Sequence, residues 1–181
     1  MTMSRVIIRP PNLEDCEAFL KAVRLSTALH HPYVYPPDTA EAFKQYVNRI
    51  TRSEYVGRLV CLRQSGEIAG VINLNDIIRG SFQSASLGYY AFVPFARQGL
   101  MREGLQLMLE YAFQGLQLHR VEANIQPENT ASIALVKQCG FTKEGFSKRY
   151  LKIGGDWRDH ERWAFVVEDW EETPGHCPGL N

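Results

Sequence analysis

Residues 86–126 read SLGYYAFVPFARQGLMREGLQLMLEYAFQGLQLHRVEANIQ, and two changes of period inside this stretch decide the fold. Ser86 to Val93 is an apolar and aromatic run that Pro94 ends, which is the pattern of a strand. From Leu100 the apolar residues recur at helical spacing, through Met101, Gly104, Leu105, Met108, Ala112, Gly115 and Leu116. His119 to Gln126 then alternates Val121, Ala123 and Ile125 with Arg120, Glu122 and Asn124, so the chain returns to a strand. Strand, helix and strand in this order give a parallel pair across the helix and bring the helix N-terminus beside the strand ends. The first-turn amides of a helix have no intrahelical partner and carry the positive end of its dipole, so this place suits an anion. Gly99 lets the backbone approach a ligand closely, and Arg97 and Arg102 supply charge.

Outward from this unit the chain alternates again. Arg5 to Arg9 predicts a strand stopped by Pro10 and Pro11, and Asn12 caps a helix on which Leu13, Cys16, Phe19, Leu20 and Val23 share a face. His30 to Asp38 (HHPYVYPPD) is a shaped loop, and Asp38 with Glu41 forms a capping-box start to a helix through about Arg52. Gly57 to Arg63 and Glu67 to Ile78 are two strands about a turn at Ser65-Gly66. After residue 126, Asn129 introduces a short helix through Cys139, which Gly140 ends as a left-handed cap. Ser147 to Ile153 and Trp157 to Val166 are strands about Gly154-Gly155. The expected architecture is an α+β domain over residues 1–172, whose central mixed, mostly antiparallel sheet of about seven strands is flanked by helices. Residues 173–181 are expected to form a loose tail.

Composition narrows function. In 181 residues, 20 Lys and Arg balance 20 Asp and Glu, so bulk charge gives no reason to expect direct nucleic-acid binding. Cys16, Cys61, Cys139 and Cys177 form no C-x-x-C pair and have no His at ligand spacing, so no disulfide framework and no metal are expected. Gly99 and Gly104 have the separation of a Walker loop, but Leu105-Gln106 follows where Lys-Ser/Thr is required, and no G-x-G-x-x-G occurs. The longest uncharged stretch carries Ser, Gln, Gly and Pro, and the N-terminus places acids and arginines where a signal peptide needs an apolar run. A cytoplasmic protein without membrane contact is the expectation.

Taken together, IIRGSF (77–82), LGYY (87–90), GLMREGL (99–105), YAF (111–113), LHRVEAN (118–124), NTAS (129–132), GFTKEG (140–145) and YLKIGGDWRDH (150–160) resemble the GNAT superfamily of acyl-CoA N-acyltransferases. They are similar in particular to the ribosomal-protein branch that acetylates N-terminal alanine. The resemblance implies a GNAT fold and acetyl-CoA as cosubstrate, its pyrophosphate held by Arg97, Gln98, Gly99, Leu100, Met101 and Arg102. It implies that a main-chain N–H around Phe92 and Val93 faces the thioester oxygen, that Asn129 bonds the pantetheine amides and that Ser132 bonds the sulfur. Ala96 stands where the loop motif has Gln or Arg, and Met101 where it has Gly or Ala. Val136 stands where many members carry the tyrosine that protonates the leaving thiolate, which makes Ser132, one turn earlier, the candidate acid.

The implied partner is a protein N-terminus, possibly ribosomal, with a monomer or homodimer as the assembly. Two alternatives stand beside it: acetylation of a small amine such as a polyamine, antibiotic or amino acid, and a non-catalytic acyl-CoA-binding module. Glu122 is a candidate base, although a strand glutamate is more often solvated. Tyr89 and Tyr90 point to opposite faces of one strand, so at most one is expected to line a cleft. The loop Tyr33 to Pro37, the turn Arg79 to Phe82 and the hairpin Trp157 to His160 are candidates for shaping the acceptor site.

Overall fold

Asn12 caps as its sequence predicts: its side chain accepts from the Glu14 amide while Asp15 accepts from the Asn12 amide, and one tight turn leads into α1 (Cys16–Leu25). The computed structural model describes residues 3–172, so the expected tail lies outside the described residues. After α1 comes a single turn, α2 (Thr27–His30), for which the sequence carries no periodic signal. The next helix, α3 (Ala40–Arg49), is capped one residue later than expected, by Thr39 Oγ1 on the Ala42 amide.

The strands are β1 (Val6–Arg9), β2 (Val56–Leu62), β3 (Ile68–Ile78), β4 (Ser84–Ala91), β5 (Arg120–Ile125), β6 (Thr142–Ile153) and β7 (Asp156–Val166). They form one sheet in the order β1-β2-β3-β4-β5-β7-β6, and only β4 and β5 pair in parallel. β6 begins five residues earlier than its pattern predicts. Polar Lys143 and Glu144 hide that start, and they are held there by ion pairs to Glu161 and Arg120.

The helix between the parallel strands is α4 (Leu100–Glu110), which widens into a π turn over Tyr111–Gly115. Its buried residues Leu105 and Met108 join Ile72, Leu74 and Val121 in one core. α4 lies tight on the sheet because Gly104 has no side chain: a Cβ there would stand 2.8 Å from Val60 Cγ2. α5 (Thr130–Gln138) and α6 (Val167–Glu171) complete this layer. On the opposite face Phe19, Phe43 and Tyr46 from α1 and α3 pack with Leu59, Val71 and Phe92. The sheet therefore separates two cores, and what matters for function is the place where it opens.

Candidate active site

β4 and β5 are paired only from Ser84↔Arg120 to Leu87↔Ala123. Beyond Leu87 they part, and β4 runs on to Ala91 bonded to β3 alone. In an antiparallel ladder alternate residues turn their amide and carbonyl to opposite sides. Phe92 donates to Ala69 O at 2.8 Å, toward β3, so Tyr89 and Ala91 turn theirs into the fork. The Ala91 carbonyl is taken by His30 Nε2 at 2.7 Å. The amides of Tyr89 and Ala91 have no strand opposite them.

A cleft of about 530 Å³ passes through this fork. On the α4 side it is walled by Phe95, Ala96, Arg97, Gly99, Leu100, Met101 and Arg102, with Asn129, Ser132 and Leu135 of α5 opposite. Gly99 is the N-cap of α4 at φ 78° and no side chain caps the helix, so the first-turn amides are left for a ligand. A Cβ on Gly99 would stand 3.3 Å from Arg5 Nη2, a guanidinium that also bonds Gln98 O and Glu103. Burial pushes the Glu103 carboxyl up, but its bonds from Arg5 and Ser4 overturn this and hold it below the ordinary carboxylate range. An uncapped helix start, a backbone that only glycine leaves open and flanking arginines fit a pyrophosphate. The roomy, largely apolar continuation fits a pantetheine arm.

At the centre, the Tyr89 hydroxyl lies 2.6 Å from Ser132 Oγ, and Asn129 Oδ1 accepts from the Ser132 amide at 3.2 Å. On the far side stand Leu29, His30, Tyr33, Val34 and Tyr90. His30 is 4% exposed; Nε2–H donates to Ala91, which leaves Nδ1 unprotonated, and Nδ1 is buried without a partner. Burial pushes the His30 pKa down, and the Ala91 carbonyl opposes this only in part. Tyr33 closes the rim by donating to Glu128 O at 3.1 Å, while Tyr35 rests against Gly154 at the tip of the β6–β7 hairpin.

Seven sequence-predicted residues thus meet in one cleft: Arg97, Gly99, Leu100, Met101, Arg102, Asn129 and Ser132. Gln98 does not line it; its side chain turns back to Pro94 O at 2.8 Å. Phe92 and Val93 need correction. The Phe92 amide is spent on Ala69 and the Val93 amide on Ser26 Oγ at 3.0 Å, so the free amides of this strand end are those of Tyr89 and Ala91. Both Tyr89 and Tyr90 line the cleft, against expectation, because it crosses the sheet and touches both faces. Glu122 lies outside it, bonded to Arg120 at 2.6 Å. The turn Arg79 to Phe82 precedes the paired start of β4 and lies at the opposite end, where Arg79 bonds Leu116 O.

Sequence reasoning missed His30, Ala91 and Arg5, which are placed by contacts between residues far apart in the chain. Among the described residues no group of His, Cys, Asp and Glu is arranged to hold a metal, and no helix is long and apolar enough to cross a membrane.

Known proteins are similar to this chain in sequence and fold. Residues 5–142 match the acetyltransferase (GNAT) domain. The chain is 34% identical over 128 residues to a probable N-acetyltransferase of Bacillus subtilis, YjcK, spanning 71% of each chain. It is 42% identical over 109 residues to the [ribosomal protein uS5]-alanine N-acetyltransferase of Escherichia coli, 60% of this chain and 55% of that one. Among solved structures, Mycobacterium smegmatis RimJ in complex with CoA-disulfide superposes with a TM-score of 0.85 at 26% identity, over 93% of this chain and 85% of that one. A spermidine N-acetyltransferase from Vibrio cholerae shares the fold at a TM-score of 0.78 and 18% identity, over 92% and 98%. A seven-stranded sheet that forks beside an uncapped helix, and a family match across most of the chain, have one conclusion: the protein belongs to the GNAT family of acetyl-CoA-dependent N-acetyltransferases.

Proposed function

We propose that this enzyme transfers acetyl from acetyl-CoA to the N-terminal α-amine of a protein, alanine being the preferred first residue, by direct attack on the thioester. The relative in Escherichia coli, named for alanine acetylation on a ribosomal protein, supports an acceptor of that class. The observation that carries the choice is that, among the described residues, no carboxylate lines the cleft, whose charged side chains are Arg97 and Arg102. A polyamine presents several ammonium groups and is disfavoured in a cleft that offers them no counter-charge. An α-amine titrates near 7.7–8.0, so an appreciable share is neutral at pH 7, whereas a lysine amine near 10.4 is almost wholly charged.

The residues divide the work. The first-turn amides of α4, with Arg97 and Arg102, hold the pyrophosphate. Oδ1 of Asn129 is committed to Ser132, which leaves its amide hydrogens for a pantetheine carbonyl. The amides of Ala91 and Tyr89 face the thioester oxygen as charge develops on it. Ser132 donates to the sulfur as the C–S bond breaks, and the nitrogen of the acceptor loses the proton that the thiol finally gains. We place the catalytic domain across residues 1–172, in the cytoplasm.

Initial rates across peptides beginning with Ala, Ser and Met, an N-terminally blocked lysine peptide and spermidine test this reading. N-terminal alanine is expected to lead on kcat/KM; a lead for spermidine or the blocked lysine peptide overturns it in favour of small-amine or side-chain acetylation.

A further inference from the structure

We propose that Tyr89 is the positioning residue of the thiol-leaving step, its phenol donating to Ser132 Oγ so that the serine's own proton points at the thioester sulfur. This rests on the reading that Ser132 faces that sulfur. Three observations carry it. The Tyr89 hydroxyl is 2.6 Å from Ser132 Oγ and 3.2 Å from Ser132 O. The contact to Oγ is the shorter, and one lone pair of the carbonyl is already engaged by the amide four residues on, here Val136, so we assign the single phenolic proton to Oγ. Ser132 is also held from the main chain, its amide bonded to Asn129 Oδ1. With one lone pair of Oγ filled by Tyr89, the remaining direction for its hydrogen is the cleft.

The arrangement answers a chemical difficulty. A serine hydroxyl alone is a weak acid, and one turn on stands Val136, fully buried and with no proton to give. A donor that itself accepts a hydrogen bond is polarised by it and donates more strongly. Tyr89 brings a phenol to Ser132 from the strand instead of the helix. Burial pushes its phenol well above the ordinary value of 10, so it stays protonated over the working range.

The first test needs no acceptor: CoA and desulfo-CoA are titrated into wild type, Tyr89→Phe and Ser132→Ala. Wild type is expected to prefer CoA, and both variants to lose that preference while binding desulfo-CoA as before; a preference retained in Tyr89→Phe overturns the proposal whatever amine the enzyme acetylates. In turnover, Tyr89→Phe should lower kcat by about tenfold to a hundredfold, part of the ~10²- to 10⁴-fold typical of general acid catalysis, with KM for acetyl-CoA unchanged. The Tyr89→Phe, Ser132→Ala double variant should match Ser132→Ala within about twofold, because groups that act as one unit are not additive. Losses that multiply, or a fall seen in KM alone, overturn it. 3-Fluorotyrosine at position 89 preserves the shape should Tyr89→Phe fail to fold; a more acidic donor is expected to change kcat in the Ser132 protein and leave it unaltered in Ser132→Ala, and equal responses in both overturn the proposal. If every variant behaves as expected while spermidine is the best acceptor, the acceptor reading falls and the role of Tyr89 stands.

Discussion

The two ends of the β4–β5 seam are built from the same strands and do opposite things. At the closed end, Ser84–Leu87 pairs with Arg120–Ala123, and Ala85, Leu87, Val121 and Ala123 are all buried beneath α4. Four residues further along β4, no β5 partner exists. There the backbone is met by His30 on one side, and the side chains meet Ser132 on the other. The difference teaches that the candidate active site is a strand edge denied its partner. Main-chain groups that would close a ladder at one end are taken by His30 or left open at the other, and we propose that the open amides bind the thioester.

The largest effect that separates the two ends is on stability. Phe165, on β7 opposite Val121, is 4% exposed, stacks on Phe141 at 5.5 Å and meets Phe113 edge-on at 6.0 Å. Phe165→Ala should cost about 3–5 kcal/mol in urea unfolding, as truncation of a buried aromatic does, while kcat per folded molecule stays within a few-fold of wild type. A comparable loss of stability in Ser132→Ala would erase the distinction, since it would make the open end as structural as the closed one.

Ligand binding should act through the open end alone. A cosubstrate that binds only the folded protein adds RT ln(1 + [L]/Kd), about 2.7 kcal/mol at a hundredfold excess over Kd. Acetyl-CoA is therefore expected to raise the melting temperature of wild type and of Phe165→Ala by similar free energies. No shift at millimolar acetyl-CoA would remove the fork as its site. Gly99→Asp sets a carboxylate and a Cβ where the pyrophosphate is expected, at a backbone φ of 78° that side chains rarely adopt. We expect at least about a tenfold loss of CoA affinity, roughly 1.4 kcal/mol. Unchanged affinity in the folded variant would detach this loop from the cleft.

The closed end was legible in the sequence and the open end was not, for a physical reason. Period and punctuation are local, so the alternation at Val121, Ala123 and Ile125, the helical repeat from Leu100 and the cap at Asn12 all announce their elements. Where β4 leaves β5 is a matter of register between residues more than thirty apart, and nothing in LGYY marks the last paired position. The error at Phe92 and Val93 has the same origin, because which amides of a strand are free depends on its neighbours. His30 was hidden for another reason: α2 is one turn long, too short to show a period, and its place follows from the Ala91 carbonyl it serves. The α4 start could be read as an anion site because unpaired helix-start amides are a local property, whereas the roles of Asn129 and Ser132 came only with the family resemblance.

The smallest expected effect is a pH dependence that His30 imposes on the open end. Its ring is 4% exposed, edge-on to Tyr90 at 5.3 Å and near Phe92 at 5.7 Å, and the cleft beyond carries Tyr33, Arg97 and Arg102. Protonation would put a second N–H on Nδ1, where no acceptor exists, beside no carboxylate. Burial accordingly lowers the folded pKa below the ordinary 6.5, so the unfolded chain takes up the proton first. Stability is thus full above about pH 6.5 and declines as the pH falls toward the folded value. His160, 2% exposed and lowered for the same reason, adds a parallel decline from the β6–β7 hairpin. Asp15, Glu103 and Glu144 are lowered carboxylates whose contributions stay intact until the pH falls below the ordinary values of 3.8 and 4.5. The interval from pH 6.5 to 5 therefore isolates the histidines. Urea unfolding across that interval should show a shallower loss in His30→Gln than in wild type, with the slope that remains due to His160. A His30→Gln slope equal to that of wild type would mean that His30 is protonated as easily in the fold as outside it, and that the open edge of β4 does not depend on a neutral ring.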